Sequence, residues 1–76
     1  MKMLIEIYSK ENCGACAQAI DEAKSISRNV KVQKLGLDFT REELLEKFPD
    51  ARTFPQIKVD GLHIGGLIEF RKLKGV

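Results

Sequence analysis

Both cysteines of the chain, Cys13 and Cys16, stand three residues apart, after an apolar run and a short polar stretch and directly before a stretch of helical periodicity. This constrains the fold in two ways. A strand, a sharp loop and a helix must meet at the pair. The chain also lacks long-range covalent support, because a bridge across so short a loop restricts the unfolded state little. A domain of 76 residues buries only about 60% of the surface its unfolded chain exposes. The apolar positions must therefore be well placed, and the expectation is one domain spanning residues 1–76.

The apolar pattern supplies the elements. Met3 to Tyr8 reads as a strand buried on both faces, and Ser9 to Asn12 as a polar loop. A helix is predicted from near Cys13 to about Ser27, with Cys16, Ala19, Ile20, Ala23 and Ile26 as its apolar stripe. Val30 to Val32 starts a second strand, and the phase slip at Leu35 and Leu37 predicts a bulge or an early end near Lys34. Thr40 and Glu43 have capping-box spacing. They open a helix that buries Leu44, Leu45 and Phe48 and stops at Pro49. Gln56 to Val59 and Leu62 to Ile64 are strands joined by Asp60-Gly61, a pair suited to a two-residue hairpin turn. Gly65-Gly66 opens a last helix with Leu67, Phe70 and Leu73 on one face. The order β-α-β-α-β-β-α predicts an α/β fold. Its first crossover is parallel and right-handed, its last strand pair is an antiparallel hairpin, and one mixed four-stranded sheet carries the helices.

The cysteine pair carries the chemistry. Free N–H groups and the dipole at a helix N-terminus favour negative charge, and the thiolate is the reactive form of cysteine. Cys13 lies at the mouth of the helix, with Gly14 and Ala15 leaving it unhindered. Cys16 lies one turn in, on the apolar stripe. Cys13 is therefore read as the nucleophile toward a disulfide, and Cys16 as the thiol that resolves the mixed disulfide. Lys10 adds a nearby positive charge.

Composition narrows the alternatives. A net charge of +2 with four Phe, one Tyr and no Trp gives neither a basic face nor a stacking platform for nucleic acid. No run approaches the roughly 18 apolar residues of a membrane span, and the N-terminal apolar stretch lacks signal-peptide form. With two close cysteines rather than a spread framework, the expectation is a reducing compartment, the cytoplasm.

The second half of the chain carries a family resemblance. Thr53-Phe54-Pro55-Gln56-Ile57, then Asp60-Gly61, then His63-Ile64-Gly65-Gly66 resembles the glutaredoxin signature of Thr-Val-Pro, hairpin and Gly-Gly. Tyr8-Ser9-Lys10 leading to Cys13 is similar to the approach to the glutaredoxin active site. The likeness covers nearly the whole chain. It implies a thioredoxin-like fold with sheet order 2-1-3-4, and a cis Phe54–Pro55 peptide facing the cysteines. It implies glutathione as reductant and co-substrate, its backbone pairing with Phe54 like an added strand. Beside Thr53 and Pro55, Lys10 and Arg52 would bind one glutathione carboxylate, and Gly66 with the Leu67 amide the other. Protein disulfides and glutathione mixed disulfides would be the substrates, and a monomer is expected.

Three positions depart from the family pattern. Gly14-Ala15 replaces the usual Pro-Tyr between the cysteines, where the intervening pair tunes the thiols. Leu67-Ile68 stands where one or two Asp usually serve the glutathione amine, so Glu69 is the first carboxylate. Phe54 replaces Val and makes the groove bulkier. The second departure opens an alternative: a glutaredoxin-like redoxin fed by thioredoxin reductase and supplying ribonucleotide reductase. A Cu(I) carrier is a further rival, since two thiolates suit Cu(I). Such carriers have β-α-β-β-α-β order, and Thr53 to Pro55 and Gly65-Gly66 have no role in them. Two Cys and one His fall short of a zinc site, so no metal is expected.

His63 alternates on a short strand and is taken as a surface or sheet-face residue. Tyr8 is taken as a strand residue bringing its hydroxyl to the surface, and Glu42, Glu43 and Glu46 as a solvated helix face.

Overall fold

The computed structural model describes residues 3–74, so the ends of the expected 1–76 domain lie outside the described residues. The elements are β1 (Leu4–Ser9), α1 (Gly14–Ile26), β2 (Asn29–Lys34), α2 (Arg41–Lys47), β3 (Gln56–Val59), β4 (Leu62–Gly65) and α3 (Leu67–Lys74). The four strands form one sheet in the order β2-β1-β3-β4. β1 and β2 are parallel, with Ile5 opposite Val30 and Ile7 opposite Val32. The β1–β3 and β3–β4 pairs are antiparallel. Element order and sheet order are those expected of a thioredoxin-like fold.

Strand alternation divides the core between the two faces of the sheet. Ile5, Ile7 and Ile57 pack on one face with Ala19 and Ala23 of α1 and Phe70 of α3. The small alanines let α1 approach the sheet closely. On the other face, Tyr8 packs with Phe39, Leu44 and Phe48. Tyr8 meets both phenylalanines edge to face, each at 5.2 Å between ring centroids. Tyr8 is the strand residue expected, and only 3% of it is exposed, so its ring belongs to the core.

Leu45 is also corrected: it is 42% exposed while Leu44 and Phe48 are buried. α2 has only seven residues, and a helix of two turns presents too narrow a stripe to bury three large side chains. Ile26 and Leu73, at the far ends of their predicted stripes, are likewise exposed. β2 ends early, as the phase slip predicts. Leu35 N–H donates to the Ser9 carbonyl, and the chain then turns on Leu37 N–H and Asp38 N–H bonds to the Lys34 carbonyl.

Local chemistry fixes the turns and caps. Asp60 and Gly61 have φ of 51° and 85°, the two positive values a tight hairpin of this type needs. Thr40 accepts from Glu43 N–H, and Glu43 Oε1 accepts from Thr40 N–H, which completes the capping box. Thr40→Ala removes that cap, and the expected loss is about 1 kcal/mol. For a domain this small that is a fall of roughly 4–8 °C in melting temperature, read by thermal unfolding. An unchanged melting temperature would refute the cap's contribution.

Candidate active site

The site begins where β1 runs out. After Ser9 the chain turns through Asn12, whose φ is 53°, and delivers Cys13 to the N-cap of α1. Cys13 and Cys16 are paired as a disulfide, with Cα atoms 5.2 Å apart. Cys13 Sγ accepts from Cys16 N–H at 3.1 Å, so one of the free N–H groups of the helix start already points at this sulfur. A thiolate there has a donor and a dipole in place. The two sulfurs differ in access: Cys13 is half-buried, whereas Cys16 is 2% exposed and lies on the core side of α1. An incoming disulfide can reach Cys13 and cannot reach Cys16.

The loop after α2 forms the opposing wall. Phe54–Pro55 is a cis peptide, Pro55 is fully buried, and the Phe54 carbonyl oxygen lies 4.0 Å from Cys13 Sγ. The Phe54 ring stacks on Phe39 at 6.4 Å, and Lys10 Nζ stands 5.6 Å from its centroid. Thr53, Phe54, Pro55, Gly66 and Leu67 line one groove beside Ala15 of α1. Lys10 lines a second groove with Cys13 and Cys16, on the β2 side. Arg52 is exposed and borders a smaller hollow with Arg41 and Phe54. Eight of the nine sequence-predicted site residues therefore border one of these two grooves, and Arg52 does not. Cys13, Cys16 and Lys10 are among them only through the second groove, and Arg52 borders its separate hollow with Phe54.

The start of α3 holds a feature the sequence reading did not resolve. Gly66 N–H donates to Glu69 Oε1 at 2.9 Å. This bond holds the Glu69 carboxyl below the usual carboxylate range. The three-residue spacing of Gly66 and Glu69 is that of half a capping box, which is the signal that could have found it. Gly65 makes room for the arrangement. Its φ is 116°, and a Cβ there would lie 2.9 Å from Glu69 Cγ. A Cβ on Gly66 would come within 3.2 Å of the Pro55 carbonyl oxygen, so the start of α3 is packed directly on the proline loop.

Comparison with known proteins gives the family. The family model described as Glutaredoxin matches residues 5–64. Glutaredoxin 3 of Escherichia coli K12 is 40% identical over 65 residues, covering 82% of this chain and 75% of that protein. The chain belongs to the glutaredoxin family. The fold agrees: a crystal structure of glutaredoxin 1 from Francisella tularensis complexed with cacodylate has a TM-score of 0.76 at 23% identity, covering 96% of this chain and 93% of that one. A buckwheat glutaredoxin–glutathione complex has a TM-score of 0.65 at 23% identity, covering 96% and 71%. With both cysteines in place at the start of α1, the chain is a dithiol glutaredoxin, a glutathione-linked thiol-disulfide oxidoreductase. Its β-α-β-α-β-β-α order leaves no need for the Cu(I)-carrier reading. No group of three or more metal-ligating side chains occurs among the described residues.

Behind the proline loop, His63 Nε2 bonds Gln56 Oε1 at 2.7 Å. Partial burial, and secondarily the charge of Lys58, lower the His63 pKa from 6.5. The unfolded chain therefore takes up this proton first. The resulting stability is fully present above about pH 6.5 and is lost as pH falls from there through the lower folded value. Between pH 7.5 and 5.5 the glutaredoxin is expected to lose more stability to urea than its His63→Gln variant. Equal losses in the two proteins would contradict the shift.

Proposed function

We propose that this glutaredoxin reduces protein disulfides and glutathione mixed disulfides with electrons drawn from glutathione. The observation that carries this is the asymmetry of the pair: Cys13 half-buried on the α1 N-cap, 4.0 Å from the Phe54 carbonyl, and Cys16 sealed beneath it. In the reduced protein the Cys13 thiolate attacks one sulfur of the substrate disulfide. A bond forms between Cys13 and that sulfur, and the other substrate sulfur leaves as a thiolate that takes up a proton. Cys16 then gives up its proton and attacks Cys13 Sγ. The second substrate thiol departs, and the Cys13–Cys16 disulfide remains. Two glutathione molecules return the pair to dithiol and leave as glutathione disulfide.

The groove between the proline loop and the start of α3 is the proposed glutathione seat. The exposed backbone of Thr53 and Phe54 pairs with the cysteine of glutathione, as the added strand of a sheet does. Lys10, 5.6 Å from the Phe54 ring centroid, and Arg52, beside Phe54 at its own hollow, attract one carboxylate. The Gly66 and Leu67 amides receive the other, which seats by displacing Glu69. The bond already made there by Glu69 supports the view that this helix start accepts a carboxylate. The glutathione bound to the buckwheat glutaredoxin supports the choice of ligand. We place the reaction in the cytoplasm, where a pair of close thiols is kept reduced, and in a monomer.

The test is a coupled assay of the purified protein with a glutathione mixed disulfide, glutathione, glutathione reductase and NADPH. Steady NADPH consumption proportional to enzyme is the expected result. No consumption, with a Cys13–Cys16 pair that still oxidises and reduces reversibly, would overturn glutathione as reductant and point to thioredoxin reductase.

A further inference from the structure

Gln56 is the first residue of β3 and is polar, yet only 5% of it is exposed. Its two amide atoms are both used. Nε2 donates to the Thr53 carbonyl at 2.8 Å, which fixes the orientation of the amide and leaves Oε1 as the acceptor for His63 at 2.7 Å. His63 must then carry its proton on Nε2. The imidazole also lies on Phe48, with ring centroids 4.1 Å apart, and Phe48 is the C-cap of α2.

These contacts fasten the loop between α2 and β3 at both ends. The His63 ring holds it at Phe48, and the Gln56 amide holds it at Thr53. Between those points the loop carries Arg52, and just beyond them the Phe54 carbonyl faces Cys13. The disulfide exchange itself needs neither side chain. Sheet register explains how they meet: Gln56 lies opposite Tyr8 and His63 opposite Lys58, so both side chains emerge on the α2 face of the sheet, one diagonal step apart.

We propose that Gln56 and His63 are positioning residues, a polar staple from the β3–β4 hairpin that holds the Thr53–Phe54 backbone at the height where a substrate's peptide backbone pairs with it. His63 acts through Gln56, and Gln56 acts through the Thr53 carbonyl. This rests on the glutathione seat proposed above. Loss of the staple loosens the wall that binds substrate and leaves the thiol chemistry of Cys13 as it was.

The test uses His63→Phe, which keeps a ring on Phe48 and removes the donor, and Gln56→Met, which keeps the length of the side chain and removes both bonds. In the coupled assay Gln56→Met is expected to raise KM for the glutathione mixed disulfide about tenfold, and His63→Phe about threefold. kcat and the alkylation rate of reduced Cys13 are expected to stay within about twofold of the parent, since neither bond reaches the sulfur. The double variant should match Gln56→Met alone, because the two residues lie on one chain of contacts. His63→Gln, which restores a donor, should recover most of the KM. An unchanged KM in folded variants, alkylation falling in step with KM, or effects that multiply in the double variant would each overturn the staple. His63 is exposed, so its variants remain informative if Gln56→Met does not fold. If the parent shows no glutathione-coupled turnover, the glutathione reading alone fails, and amide exchange decides the staple. Faster exchange in His63→Phe at Ala51, whose N–H donates to the Phe48 carbonyl within this loop, with β1 unchanged, supports it, and unchanged exchange overturns it.

Discussion

Cys13→Ser is expected to reduce glutathione-coupled turnover to the uncatalysed background, while Cys16→Ser keeps turnover on small glutathione mixed disulfides. The reason is the unequal access of the two sulfurs. Cys13 Sγ stands on the helix N-cap, receives Cys16 N–H at 3.1 Å and faces the proline loop. A serine hydroxyl there meets the same donor, but it does not ionise near neutral pH and forms no stable bond to sulfur. Cys16 is 2% exposed, so it cannot take over the attack. Its own reaction is intramolecular, with a sulfur held beside it at high effective concentration. Glutathione can replace that step from solution when the leaving group is small. On a protein disulfide the mixed intermediate persists longer without Cys16, so Cys16→Ser is expected to lose protein-disulfide reduction selectively. Coupled assays of both variants on both substrates check the pattern. Retained turnover in Cys13→Ser would contradict it.

Phe70→Ala is expected to bring the domain to the edge of unfolding. Phe70 is completely buried and packs on Ile5, Ile7, Ala19, Ala23 and Ile57. Truncating a buried Phe to Ala costs about 3–5 kcal/mol. At roughly 0.05–0.15 kcal/mol per residue, a chain of 76 residues has little more than that to lose. The loss also reaches the site, because Phe70 anchors α3 and the start of α3 packs on the proline loop through Gly66. A melting temperature lower by about 15 °C or more, with glutathione affinity falling before the fold is lost, is the expected result. Leu73→Ala, on the same helix but half exposed, should shift it by only a few degrees. A Phe70→Ala protein as stable as the parent would contradict this account of the core.

Most of the fold was legible because its signals are local. Thr40 with Glu43, Asp60 with Gly61, the period of α1 and the break at Gly65-Gly66 each state their structure within a few residues. The cysteine pair was legible for the same reason, since a strand before it and a helix after it set its chemistry. What escaped depends on contacts between distant segments. Tyr8 reads as a strand residue until Phe39 and Phe48 are folded over it. Leu45 reads as core because the helical period does not say that α2 is too short to cover it. Val32 alternates as a buried strand residue would, but β2 is an edge strand and leaves it partly exposed. Gln56 and His63 are seven residues apart and meet only through the register of the β3–β4 hairpin, which shifts between Ile57 and Lys58. Glu69 reads only as the first carboxylate after Leu67-Ile68, while its bond to Gly66 depends on how α3 begins.

Cys13, and not Cys16, is the sulfur placed to meet substrate. The most direct measurement is to mix each reduced single-cysteine variant with a glutathione mixed disulfide, quench with acid, and map the adduct by mass spectrometry. A glutathionyl group on Cys13 in Cys16→Ser within the first turnover, with Cys16 in Cys13→Ser left unmodified, is the predicted result. Modification of Cys16 in Cys13→Ser at a comparable rate would contradict the claim, because it would mean that the buried sulfur is open to substrate.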